Sequence, residues 1–185
     1  SYAFLYNPKK GINYTMSVNF RYGKAYYDKI GHNLDQYNKE NIAKNMVRYY
    51  DGGSPTALWA VRSRGIDPAT GKEIFVRKDG VLTYDFSYDD EVEVGDTRPT
   101  LEGVWGNTLY YKGFSASVQI RYSFGADAFN STLFNKVENI SSGSITSNQD
   151  KRALYDRWKK PGDKAQFKGI SLFDYTPMSS RFVMK

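Results

Sequence analysis

Chemistry that needs an imidazole or a thiolate has little to work with here, since the chain carries one histidine, His32, and no cysteine. Thiol catalysis, a disulfide framework and cysteine- or histidine-rich metal sites are thereby excluded. His32 lies in a polar stretch with no Ser or Cys placed as its partner, so catalysis through it is not expected. Gly65 to Lys72 superficially resembles a phosphate loop. Its glycines stand one residue too far apart, however, and Glu73 rather than Ser or Thr follows the lysine. Asp85, Asp89, Asp90, Glu91, Glu93 and Asp96 offer oxygen ligands to Ca²⁺, but without the spacing of an EF-hand, and read first as a solvated loop. The expectation is no enzyme activity and no cofactor.

Aromatic residues are the better candidates. Tyr49, Tyr50, Trp59 and Trp158 lie in the long loops, where such rings stack on a sugar, pack against a partner, or hold the loops together. The formal charge of +6 comes from 26 basic residues scattered among 20 acidic ones, with no basic stripe interleaved with aromatics. That reads as a solvated surface, and no nucleic-acid partner is expected. No long apolar run marks a transmembrane helix, which leaves barrel strands open, because their alternation keeps mean hydropathy low.

Two segments alternate without a break. In the first, Ile12, Tyr14, Met16, Val18, Phe20 and Tyr22 are apolar or aromatic, while Asn13, Thr15, Ser17, Asn19 and Arg21 are polar. In the second, Phe114, Ala116, Val118, Ile120, Tyr122 and Phe124 alternate with Ser115, Ser117, Gln119, Arg121 and Ser123. Period two gives each strand one apolar and one polar face. Such a strand rises about 36 Å, and tilted at about 45° it spans roughly 26 Å, the height of an outer-membrane apolar band. A soluble sheet with one face on a core has the same pattern. The connections shift the balance toward a barrel, because short turns at Asn7 to Gly11 and Lys112-Gly113 alternate with very long loops.

The strand from Leu101 to Tyr111 is less tidy, with Asn107 among its apolar positions, Val104 on the opposite side, and glycines at 103 and 106. Within the long loops, Asn33 to Tyr50 has loose helical spacing, Thr56 to Val61 and Ile74 to Val76 read as short strands, and Lys151 to Lys160 reads as a helical turn. Asp67-Pro68-Ala69-Thr70-Gly71 has turn chemistry. Asp150, Arg152, Asp156 and Arg157 suit a charge-assisted network with Trp158 packed beneath it. The chain opens on Ser1-Tyr2-Ala3-Phe4-Leu5-Tyr6 and closes on Ser180-Arg181-Phe182-Val183-Met184-Lys185, and both ends read as cut inside strands. The expectation is a piece of a larger protein.

Three stretches carry a resemblance. They are Ala57 to Phe75, with Arg62-Ser63-Arg64-Gly65-Ile66-Asp67-Pro68-Ala69-Thr70-Gly71-Lys72 at its centre; Asn135-Lys136-Val137-Glu138-Asn139 with Asp150 to Asp163; and Ser179-Ser180-Arg181-Phe182-Val183. In this order the chain resembles, over essentially its whole length, the carboxy-terminal third of SusC/RagA TonB-dependent outer-membrane transporters from Bacteroidetes. The family usually reads Asn-Val-Asp-Lys-Arg where this chain has Asn148-Gln149-Asp150-Lys151-Arg152, a minor departure. The loop from Asn33 to Ser54 matches no family motif.

The resemblance implies an all-β fold, a partial transmembrane antiparallel β-barrel forming an arc of a plugged barrel of about 22 strands. Residues 1–185 are then a fragment of that barrel domain, with strands near 2–6, 12–24, 99–111, 114–125 and 180–185, and long extracellular loops 25–98 and 126–179. It further implies import of glycan oligomers or peptides across the outer membrane of a Gram-negative bacterium. The implied partners are a SusD-like surface lipoprotein, TonB acting through a part before residue 1, the remainder of the same barrel, and outer-membrane lipid. On this reading the even residues of both alternating strands (Ile12 to Tyr22 and Phe114 to Phe124) face lipid and the odd ones (Asn13 to Arg21 and Ser115 to Ser123) face the lumen. The alternative reading is a soluble all-β glycan-binding module of adhesin or lectin type.

Overall fold

A computed structural model describes the main chain of residues 2–7 and all of residues 10–144, 146–171 and 173–185. In chain order its elements are β1 (Tyr2–Asn7), β2 (Ile12–Tyr22), α1 (Asp35–Asn41), β3 (Ala57–Ile66), β4 (Glu73–Val76), β5 (Leu82–Thr83), β6 (Glu91–Asp96), β7 (Leu101–Tyr111), β8 (Phe114–Phe124), β9 (Ala128–Phe129), α2 (Arg152–Tyr155) and β10 (Val183–Met184). The fold is mainly β with few, short helices. The chain divides into two compact units, one of residues 1–25 and 98–126, the other of residues 26–97 and 127–185.

The first unit is one antiparallel sheet in the order β1-β2-β7-β8. Its long strands pair in unbroken register over their full length, Ile12 opposite Tyr111 through Tyr22 opposite Leu101, and Leu101 opposite Phe124 through Tyr111 opposite Phe114. β1 pairs with β2 through a bulge between Ala3 and Leu5. The two-residue turn Lys112-Gly113 has positive φ at both positions, the geometry that a tight hairpin between right-twisted strands requires. The sheet is open among the described residues, with β1 and β8 at its edges.

The second unit gathers the two long connections into a fold with its own core. Its sheet runs β5-β4-β3-β6, and β9 pairs with β10. Met46, Leu58 and Ala60 pack with Val94, Phe129, Met178 and Val183, while Val137, Ile140, Ala153 and Phe167 form a second cluster. The strand expected from residue 180 is instead a 3₁₀ turn over Ser180–Phe182, followed by the two residues of β10. A strand points neighbouring side chains to opposite faces. The turn lets Arg181 reach buried carboxylates while Phe182 packs edge-on against Phe134 at 5.0 Å.

The helical spacing of Asn33 to Tyr50 yields helix only over α1. Beyond it the chain wraps the buried Arg48, which donates to the carbonyls of Ile42, Asn45 and Val47. Those carbonyls therefore bond a side chain in place of a helical ladder. α2 likewise covers only part of the expected 151–160, because Arg157 takes the Ala153 carbonyl at 2.6 Å.

Candidate functional site

Paired residues of an antiparallel ladder share a face, so the register sorts every side chain of the central strands. One face holds the rows Ile12–Tyr111–Phe114, Tyr14–Leu109–Ala116, Met16–Asn107–Val118, Val18–Trp105–Ile120, Phe20–Gly103–Tyr122 and Tyr22–Leu101–Phe124. It is apolar except at Asn107, whose carbonyl oxygen accepts from the Tyr14 hydroxyl at 2.5 Å. On it Phe20 and Phe114 are 73% and 80% exposed. All twelve of the apolar residues read from the alternating strands fall on this one face.

The gap at Gly103 is closed by a ring. A methyl group at Gly103 would meet the Asn19 carbonyl and the Tyr122 phenol. Tyr122 lies across the glycine and donates to the Asn19 carbonyl at 3.1 Å. Glycine here permits a close approach that any side chain would block.

The opposite face holds Asn13–Tyr110–Ser115, Thr15–Thr108–Ser117, Ser17–Gly106–Gln119, Asn19–Val104–Arg121 and Arg21–Glu102–Ser123. Its turn end carries small hydroxyl and amide groups, and Thr108 and Ser117 lie 3.2 Å apart. Its other end carries the charges, with the exposed Arg21 and Glu102 paired at 3.4 Å.

In the second unit, buried ion pairs tie distant segments together. Arg48 forms a two-pronged pair with Glu91 at 2.8 and 3.0 Å. Burial pushes the Glu91 carboxyl above its ordinary range, against the bonds and charge of Arg48. Arg181 bonds Glu73 at 2.9 Å and Glu138 at 2.8 Å, and Ser179 and Thr176 donate to the same two carboxylates at 2.6 and 3.1 Å. Burial works against the Arg181 charge, but the Glu138 bonds and the Glu73 field outweigh it and raise its pKa.

Four carboxylates and arginines near Trp158 do not form the single network expected of them. Asp150 pairs with Arg152 at 2.6 Å, while Arg157 turns inward to the carbonyls of Ala153, Lys168 and Glu138. Carbonyl dipoles satisfy this buried cation, and burial lowers the Arg157 pKa against the field of Glu138. Trp158 packs on Gly71 rather than beneath these charges, and its indole N–H donates to the Pro68 carbonyl at 2.9 Å. It staples the turn that Asp67 closes by accepting from Ala69 N–H and the Thr70 hydroxyl.

The loop aromatics are not brought into one site. Tyr49 packs between Tyr27 and Tyr37, with ring centres 5.7 and 5.6 Å away, and burial raises its pKa. Tyr50 meets Trp59 edge-on at 5.0 Å, and the Trp59 indole N–H finds no acceptor among the described residues. The acidic stretch is dispersed as well. Glu91 goes to Arg48, Asp90 accepts from Lys78 N–H and Asp96 accepts from the Thr56 hydroxyl. Among the described residues no three acidic or histidine side chains are grouped to hold a metal ion. His32 is exposed and sits 2.8 Å from Asp35.

No protein-family model matches the sequence, and no curated protein is similar to it. Solved structures are. A chain of the RagAB peptide importer in an "open-open" state matches with a TM-score of 0.72 at 21% identity, over 98% of this chain and 19% of that one. A structure of the RagAB peptide transporter gives 0.71 at 22%, over 98% and 20%. The importer in a "closed-closed" state gives 0.63 at 25%, over 90% and 19%. The likeness shows a shared fold. This chain spans about a fifth of the length of the chains it matches.

Sequence reading put Leu101, Trp105, Leu109 and Tyr111 of β7 on one face, and the register joins that face to those of β2 and β8. Their alternation is broken in the sequence by Gly103 and Asn107. The signal for the joining is the two-residue turn to β8, which fixes their register. No helix among the described residues is long and apolar enough to cross a membrane, which says nothing about strands.

Proposed function

We propose that this chain is an arc of an outer-membrane β-barrel of the SusC/RagA kind, part of a TonB-dependent importer of glycan oligomers or peptides. The observation that carries the reading is the register of β2, β7 and β8. It merges three eleven-residue strands into one continuous, exposed apolar face backed by a polar one. Strands of that length span the apolar band of an outer membrane when tilted. On this reading the apolar face meets lipid, the polar face lines the lumen, and the free edges of β1 and β8 pair with the remainder of the barrel, since open edges do not persist in hydrocarbon. The fold shared with RagAB importer chains supports import as the class of function. The second unit is then extracellular, a SusD-like lipoprotein lids the barrel, TonB acts on a part of the protein outside this chain, and the role is non-catalytic.

A charge placed on each face tests the reading. Val18→Arg and Val118→Arg in the full-length protein should each cost about 2–4 kcal/mol and block assembly into the outer membrane. Ser17→Arg and Ser117→Arg should assemble nearly as the parent does. Equal assembly of all four variants would refute the lipid-facing assignment and return the soluble glycan-binding module as the better account.

A further inference from the structure

The formal charge of the chain belongs to the sheet unit. Residues 1–25 and 98–126 hold seven Lys and Arg residues against one carboxylate, Glu102, and so carry the whole +6, which leaves the other unit with no net charge. Along the strands the charges keep to the ends. No Lys, Arg, Asp or Glu lies from Ile12 to Phe20, from Gly103 to Tyr111 or from Phe114 to Ile120. One end pairs Arg21 with Glu102. The turn end has cations and no acid.

Two connections stand side by side there. The Lys112 main-chain N–H donates to the Gly11 carbonyl at 3.2 Å, which sets the Lys112-Gly113 turn against the end of the turn before β2. Lys10 and Lys112 are both exposed. The Lys112 ammonium lies over the Tyr111 ring, 5.4 Å from its centre. Lys112 takes a φ of 46°, a left-handed conformation that Asn, Asp or Gly adopts at lower cost in such a turn. The first row of the apolar face, Ile12–Tyr111–Phe114, begins directly beside the two turns, and its Tyr111 and Phe114 rings are exposed. Along β7 the first carboxylate is Glu102, ten residues from Lys112.

We propose that the paired turns and the apolar row beside them bind an anionic phospholipid, its phosphate on Lys112 and Lys10 and its acyl chains along Phe114, Tyr111 and Ile12. A phosphodiester offers acceptor oxygens to ammonium donors. A cation adjoining an apolar face matches a ligand in which charge and hydrocarbon are covalently joined. The missing acid sets the headgroup. The ammonium of a zwitterionic head would stand against two lysines, with no carboxylate in either stretch of sequence to receive it. A free phosphate would use the lysines and leave the Phe114 ring bare. The proposal rests on the barrel reading, in which short turns are periplasmic and lipid reaches the apolar face, and it adds a headgroup-specific site to that surface.

The test titrates phosphatidylglycerol and, separately, phosphatidylcholine of the same chain length into the full-length protein in neutral detergent, with bound lipid counted by native mass spectrometry. Phosphatidylglycerol is expected to bind about tenfold or more tightly at one site. Lys112→Gln should weaken it about fivefold, the effect of one lysine near an anionic headgroup. Adding Lys10→Gln should abolish the preference, Lys112→Arg should keep it, and Lys44→Gln, in the other unit, should leave it unchanged. Phe114→Ser should weaken both lipids alike. Equal binding of the two lipids, or a preference that survives the double lysine variant, overturns the site. Displacement of phosphatidylglycerol by inorganic phosphate, with no effect of Phe114→Ser, makes it a site for free anions and overturns the lipid. A protein that fails to assemble with Val18→Arg, yet shows no lipid preference, loses this site and keeps the barrel reading. A preference that depends on Lys112 in a protein indifferent to Val18→Arg does the reverse.

Discussion

Arg181 holds two carboxylates that would otherwise be buried together, with Glu138 fully shielded and Glu73 nearly so. Removing one partner of such a pair leaves an uncompensated buried charge, which costs about 3–5 kcal/mol. Arg181→Ala should destabilise the second unit by that much in urea unfolding of the full-length protein, and adding Glu73→Gln and Glu138→Gln should recover part of it. A loss under about 1 kcal/mol would mean that water reaches the cluster. At Asp150 the Arg152 side chain, then its backbone N–H, hold the carboxyl down at about 2. A depressed carboxylate stabilises the fold above its ordinary pKa of 3.8, and that contribution is lost as pH falls toward about 2. The neighbouring Leu154–Tyr155 bond is exposed and suits pepsin. Asp150→Asn should be cut faster than the parent near pH 4, with the ratio of the two rates falling toward one as pH drops to about 2. A ratio that stays constant over that range would contradict the assignment.

At the scale of elements, strands of period two were the legible part. β2 and β8 announce both faces in their own residues, because nothing interrupts the alternation from Ile12 to Tyr22 or from Phe114 to Phe124. β7 was half-legible, since Gly103 makes sense only beside the Tyr122 ring and Asn107 only beside Tyr14, and both partners are on other strands. The second unit was the least legible. Its ties join residues 43 positions apart at Arg48–Glu91 and 108 apart at Arg181–Glu73, and a pairing that distant leaves no local periodicity to read. The same holds for Trp158, whose acceptor at Pro68 is 90 residues away. At the β7–β8 pair, Tyr122→Ala should cost about 1–2 kcal/mol by uncovering Gly103 and losing the bond to Asn19, whereas Tyr122→Phe keeps the ring and should cost less than half of that. Equal costs would show that the ring does not shield the glycine.

The molecule consists of a two-faced sheet and a unit that has its own core and ion pairs. On the proposed reading the apolar face of the sheet meets lipid and the polar face meets water. Trp105 reports on this directly, because it stands mid-face between Val18 and Ile120 and is 41% exposed. The decisive measurement is fluorescence quenching of the full-length protein, reconstituted in vesicles of lipid brominated along the acyl chain, with Trp105→Phe as the reference. The account expects the difference between parent and variant to be a tryptophan signal strongly quenched by the bromines. A Trp105 signal untouched by brominated lipid and quenched by aqueous iodide would place that face in water and contradict the account.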